Sequence, residues 1–225
     1  MSKLFCPLLF QAKYKVWLVV GIFLLGLWGA LAEAKAQTEL TLSIDVGDTV
    51  VTFSGWTAPN SLVTIKENGV AVGTALSDEH GFFTKTLTAQ TAEDKVFQLS
   101  ATHLPTGSMT DTVEYSVYLT PTVETTLSNI VLPPTAELSA TQVLPNEQLL
   151  ISGWAPPGSV VELVIGTDYF LSFTADEQGY WSGVISAVNL QSGVTYSVVA
   201  TVLFHGFSSQ EITAGSFNVL FFQIP

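Results

Sequence analysis

The chain has 225 residues, 48% hydrophobic and 12% charged, enough apolar material for one or two folded domains and unlike a disordered chain. Nineteen acidic residues face seven lysines and no arginine, a formal net charge of −12. That balance lacks the cationic footprint phosphate backbones require, and it argues against nucleic-acid binding.

The first 36 residues stand apart. Lys3, Lys13 and Lys15 precede the apolar run "VWLVVGIFLLGLWGALA" (16–32), which "EAKAQ" follows. This is the order of a secretory signal, with Ala34 and Ala36 as the small pair and the cut after Ala36; a cut after Ala32 is the second option. The run is also at the short edge of membrane-spanning length, so the alternative is an uncleaved anchor touching the membrane only through residues 16–32. Cys6 lies before the apolar run, which does not fit a lipoprotein signal, and it leaves with the signal. Cleavage leaves Lys66, Lys85 and Lys95 against 18 acids, near −15, with no cysteine for disulfides or thiolate metal sites. The expected location is extracellular or at the cell surface, with N-terminal anchoring as the alternative.

Beyond residue 37 no helical periodicity appears. Runs rich in Val, Thr, Ile, Phe and Tyr alternate with turn residues every eight to twelve positions, which predicts an all-β sandwich. In a first unit, 37–120, strands are expected near 38–45, 49–55, 61–66, 70–77, 82–88, 96–103 and 112–119. "ENGV" (67–70) supplies an Asn-Gly hairpin turn and "SDEHG" (77–81) the next one. "TPTVETTLSNIVLPP" (120–134), with proline at both ends, reads as a linker over 121–134, and 135–225 as a second unit. Lys85 shares a face with Phe83 and Leu87, which places it at a strand edge or gives it a snorkelling stem.

The second unit repeats the first. Aligning Gly55 with Gly153 carries an ungapped match from Ser54 to Thr84, with "SGWTAPNS" (54–61) falling on "SGWAPPGS" (152–159). Identities include Trp56 with Trp154, Pro59 with Pro157, Asp78 with Asp176 and Gly81 with Gly179, and Phe83 stands opposite Trp181. A spacing of 98 residues is the size of one seven-stranded sandwich, so a tandem duplication is expected. Pro157 and Gly158 suit the central positions of a type II turn, and Asn60 takes the glycine slot in the first copy.

The stretch "ISGWAPPGSVVELVI…FTADEQGYWSGVIS…LQSGVTYSVVATV" resembles the bacterial immunoglobulin-like domains that occur in tandem on secreted and surface proteins. The resemblance covers about 180 residues and departs at Asn60 and at Phe97, which occupies the slot of Tyr196. It implies two tandem Ig-like antiparallel β-sandwiches after an N-terminal signal or anchor helix. It implies a role as spacer, adhesin stalk or accessory domain. Tyr196 resembles the tyrosine corner of such sandwiches, whose hydroxyl pins a loop backbone.

Trp56 and Trp154 are the candidate ligand-binding residues, by stacking on sugar rings. The alternative reading has each indole capping the open end of its own sandwich. Gly55, Pro59, Asp78, Gly81, Gly153, Pro157, Gly158, Asp176, Gly179, Trp181 and Tyr196 form the structural corner of the repeat. Asp78-Glu79 and Asp176-Glu177 are turn chemistry without the oxygen-rich spacing calcium needs, and no metal or other cofactor is expected. His80, His103 and His205 share no repeat position and no Gly-x-Ser-x-Gly elbow accompanies them, so no catalytic residue is assigned. "LPPT" (132–135) lacks the final glycine and apolar tail of a wall-sorting signal. The function expected is a non-catalytic secreted or surface protein acting as a spacer or protein–protein adhesion unit. The alternatives are carbohydrate binding through the two tryptophans, or an assembly subunit joined by strand pairing at 217–225. The partners expected are other surface proteins or glycans.

Overall fold

The computed structural model describes residues 48–88 and 90–221. The expected signal or anchor helix (1–36), the membrane run (16–32), the strand at 38–45 and the chain end at 222–225 lie outside them. Among the described residues no helix is long and apolar enough to cross a membrane.

The described chain is all-β, with a single 3-10 turn at Ala187–Asn189. Seven strands come first: β1 (Val50–Trp56), β2 (Ser61–Glu67), β3 (Val70–Leu76), β4 (Phe82–Leu87), β5 (Asp94–His103), β6 (Val113–Tyr118) and β7 (Glu124–Val131). Then follow β8 (Glu137–Leu138), β9 (Gln142–Val143), β10 (Gln148–Trp154), β11 (Val160–Ile165) and β12 (Tyr169–Thr174). The last are β13 (Tyr180–Ser186), β14 (Thr195–Phe204), β15 (Phe207–Ser208) and β16 (Ile212–Val219). The period-two pattern sets which side chains go inward: in β2, Ser61, Val63 and Ile65 are buried while Leu62 and Thr64 are only partly so.

Four sheets result. The first half of the chain builds β4-β1-β7 and β3-β2-β5-β6; the second half builds β13-β10-β8 and β12-β11-β14-β16-β9, with β15 beside β14. In the second half the facing sheets have the neighbours of an Ig-like sandwich, with β10 between β8 and β13 in one sheet and β11, β14 and β16 side by side in the other. Each sheet pair encloses its own apolar cluster. Phe53, Ile65, Phe83, Phe97 and Leu99 anchor one, where the Phe53 and Phe97 rings meet edge-on at 5.0 Å. Ile151, Leu163, Trp181, Val198 and Phe217 anchor the other.

Two features depart from the sequence expectation, and a third, Lys85, agrees with it. The segment 121–134 carries β7, a strand that runs parallel to β1 from Val50↔Glu124 to Trp56↔Val131. The prolines that suggested a linker bracket the strand instead of preventing it, since Pro121 precedes it and Pro133 follows it. The reason lies in strand direction. The antiparallel register Leu99↔Val113 to Asp94↔Tyr118 sends β6 away from the end of the half where Trp56 lies. The chain must therefore travel the length of a strand back to reach the second half, and β7 does so along the open edge of β1. Second, β16 has β14 on one side and β9 on the other, so Phe217–Val219 is not an open edge. Lys85 sits as expected: β4 is an edge strand, and the Lys85 stem lies over Gly73 of β3, where a Cβ would stand 3.2 Å from Lys85 Cε, so the stem fills the sandwich margin. The corresponding place in the second half is filled by Phe173, whose ring lies over Gly183.

Candidate functional site

The two Ser-Gly-Trp corners meet. Strand β1 ends at Trp56 and β10 ends at Trp154, and each tryptophan reaches the opposite half of the chain. Trp56 makes edge-on contacts with Phe204 at 5.7 Å and His205 at 5.5 Å, at the end of β14. Trp154 stacks on His103, at the end of β5, at 4.0 Å. Within its own half each indole meets the aromatic residue across the strand pair, Phe82 at 5.8 Å and Tyr180 at 5.3 Å.

The reciprocity extends beyond the tryptophans. A Cβ on Gly81 would stand 3.4 Å from Pro157 Cδ, and one on Gly179 would stand 2.7 Å from Pro59 Cδ. The loop after β5 (Ser108, Met109) lines a groove with Thr135, Glu137 and Gly153, while the loop after β14 (Ser208–Gln210) lines one with β7. Gln210 Nε2 donates to the Glu114 carbonyl at 2.9 Å across the same joint. The corner and its Asp turn in one half therefore face the corner and Asp turn of the other, an isologous arrangement about a local pseudo-two-fold. Val131 joins the second cluster and Leu132 the first, so the crossing segment is buried on both sides.

Local chemistry explains each motif residue. Gly55 and Gly153 are glycine because another backbone crosses them: a Cβ would lie 1.9 Å from the Ile130 carbonyl oxygen and 1.8 Å from that of Thr135. Pro157-Gly158 forms a turn closed by Ser159 N donating to the Pro156 carbonyl at 3.1 Å, with Gly158 at φ 72°. Asn60 adopts φ 52° at the matching place, a conformation asparagine accepts. Asp78 Oδ1 accepts from the amides of His80 and Phe82, and Asp176 Oδ1 from those of Gln178 and Tyr180, all at 2.9 Å. These carboxylates serve their own turns, and among the described residues no group of three or more His, Cys, Asp or Glu is gathered as a metal site would need. Asp176→Ala should cost about 1–2 kcal/mol in chemical denaturation while Asp176→Asn keeps most of the stability, since the amide oxygen can still accept both bonds.

Tyr196 accepts a hydrogen bond from the Gln191 amide at 2.8 Å, pinning the loop before β14. Phe97, fully buried at the matching slot, makes no such bond. Trp181 is 1% exposed and forms the floor of the second cluster, and its indole nitrogen has no hydrogen-bond partner among the described residues.

Two of the three histidines, His103 and His205, pack on the tryptophans of the joint, which no motif announced. His103 is 3% exposed, its Nδ1 bonded to Thr106 Oγ1 at 2.8 Å, and burial lowers its pKa. With the folded value below the unfolded one, the unfolded chain binds more protons as pH falls through about 6.5, so stability contributed by neutral His103 is lost on acidification. Wild type should lose stability between pH 7 and 5 more steeply than His103→Gln, by less than the one-proton ceiling of about 1.4 kcal/mol per pH unit. Parallel urea melts at several pH values measure the difference. At the far end of the first half the balance differs. Burial works against the Lys95 ammonium, but Glu67 at 2.6 Å and Glu93 at 3.5 Å outweigh it and hold its pKa above the usual value.

No family model matches the chain, and no curated protein matches it. Solved structures do resemble it at a distance. A BSP domain of a biofilm-associated protein is 16% identical over 79% of this chain with a TM-score of 0.28; the match covers 28% of that protein. A DUF3823 family protein from Parabacteroides merdae is 12% identical, covering 78% of this chain and 100% of its own, with a TM-score of 0.29. A Ca²⁺-stabilised adhesin that helps an Antarctic bacterium bind ice is 18% identical over 77% of this chain and 49% of its own, with a TM-score of 0.30.

Proposed function

We propose that the chain is a non-catalytic exported or cell-surface protein whose two Ig-like modules, duplicated at the 98-residue spacing, serve as a structural spacer or protein–protein adhesion unit. One observation carries the reading. Strand β1 begins at the end of the first half remote from the joint, and β16 finishes at the end of the second half remote from the joint, by the registers of β1 with β4 and of β14 with β16. The described chain thus runs through a closed two-part block from one pole to the other, as a spacer requires. The indoles support this role, because both are half-buried against aromatic residues of the opposite half instead of being presented as an open platform for sugar rings.

Small-angle scattering of residues 37–225, a pull-down from surface extracts and a glycan array test the reading together. An elongated particle that captures protein partners and no glycan is expected. Glycan binding abolished in a folded Trp56→Ala/Trp154→Ala variant would transfer the function to carbohydrate recognition.

A further inference from the structure

The pairing of β1 with β7 has an unusual direction. In both halves most strand neighbours are antiparallel; β1 and β7 run parallel over six paired positions, and β9 and β16 run parallel over two. Around the longer pair lie further bonds: Val50 N to the Val123 carbonyl, Leu132 N to the Trp56 carbonyl, Thr122 N to Thr49 Oγ1, and Thr52 Oγ1 to Glu124 Oε1.

We infer that β1 and β7 form a mechanical clamp through which tension along the chain passes, giving the proposed spacer a force-carrying function. This rests on the spacer reading, because only a connector held at both ends is stretched. Pulling the chain at residue 48 draws the start of β1 outward along its own axis. The second half, attached through residues 132–136, draws the end of β7 the opposite way along a parallel axis. Two neighbouring parallel strands pulled from opposite ends slide in shear, and their ladder bonds must yield together. The same strands pulled apart from one end open like a zipper, one bond at a time. In the second half the equivalent shear contact is the short β9–β16 pair, with Asn218 N bonded to the Thr141 carbonyl and Leu220 N to the Val143 carbonyl. The second half is therefore the one that yields first, and the clamp keeps the first half and the joint intact.

Forced unfolding reads the barrier directly. With Cys6 replaced by serine the chain has no native cysteine, so single-molecule handles can be placed at will. Handles at Asp48→Cys and Phe221→Cys load the clamp in shear; handles at Asp48→Cys and Val123→Cys load the same strands as a zipper. Residue 123 is 47% exposed and residue 221 is 69% exposed, and the circular dichroism of each variant is checked against wild type before pulling. At equal force, rupture of the first half should be about a hundredfold faster in the zipper geometry, at roughly fivefold per bond over the first three bonds. Equal rupture rates in the two geometries overturn the clamp. They leave the spacer reading standing, since scattering and partner capture test that separately.

Discussion

Gly153→Ala should cost more than about 3 kcal/mol, a large share of the roughly 5–15 kcal/mol that holds a domain folded. The added methyl would lie 1.8 Å from the Thr135 carbonyl oxygen and 3.0 Å from Trp181 Nε1. Neither neighbour can yield cheaply. The 132–135 segment is tied to β10 by Thr135 N donating to the Trp154 carbonyl and Trp154 N donating to Thr135 Oγ1, both at 2.9 Å. Trp181 fills the floor of the second cluster. Relief requires the crossing segment to lift off by more than an ångström, breaking both bonds and uncovering Trp181. Gly55→Ala repeats the test on β7, against the Ile130 carbonyl at 1.9 Å. Ser152→Ala, one residue away on the outer face of the same strand, should change stability by less than about 0.5 kcal/mol. Thermal and urea melts of the three variants decide the matter. A Gly153→Ala protein within 1 kcal/mol of wild type would mean the crossing backbone does not lie against this strand.

These glycines also show where the sequence was legible and where it was not. Strand positions were readable because each depends on local alternation and local turns: the expected 61–66, 70–77, 82–88 and 96–103 lie on β2, β3, β4 and β5 within a few residues. Asp78, Gly81, Asp176 and Gly179 were readable as turns for the same reason. The rest depends on what approaches from far away. Gly55 was readable only as part of a repeated corner, while its cause is the carbonyl of a strand 75 residues later in sequence. β7 was hidden because "ETTLSNIV" carries polar residues on one side and lies between prolines, and nothing local says that an empty edge of β1 awaits it. His103 and His205 looked unrelated because they share no repeat position. They are brought to equivalent roles by the joint, each against the tryptophan of the other half. A repeat spacing predicts a fold used twice; it carries no information on which ends of the two copies meet.

That joint gives the second large expectation. Trp56→Ala and Trp154→Ala should each cost about 2.5 kcal/mol, from lost apolar burial and aromatic contact. The double variant should cost about 4 kcal/mol, less than the sum by more than about 0.5 kcal/mol. The two readings of the indoles differ in this coupling. If each tryptophan only capped its own sandwich, the two sites would be independent and their costs would add. In the structure both contribute to one surface: Trp56 lies against Phe204 and His205, Trp154 against His103, and the prolines of each corner pack on the opposite turn. Removing one indole loosens that surface, and the second then has less left to hold. A double-mutant cycle in urea measures the term. Trp154→Phe should recover part of the loss, because a smaller ring can still lie on His103. Scattering on the double variant should show the two halves no longer held at a fixed orientation while each keeps its β-sheet circular dichroism. Strict additivity, with scattering unchanged, would return the tryptophans to the role of separate caps and leave β7 alone to hold the halves together.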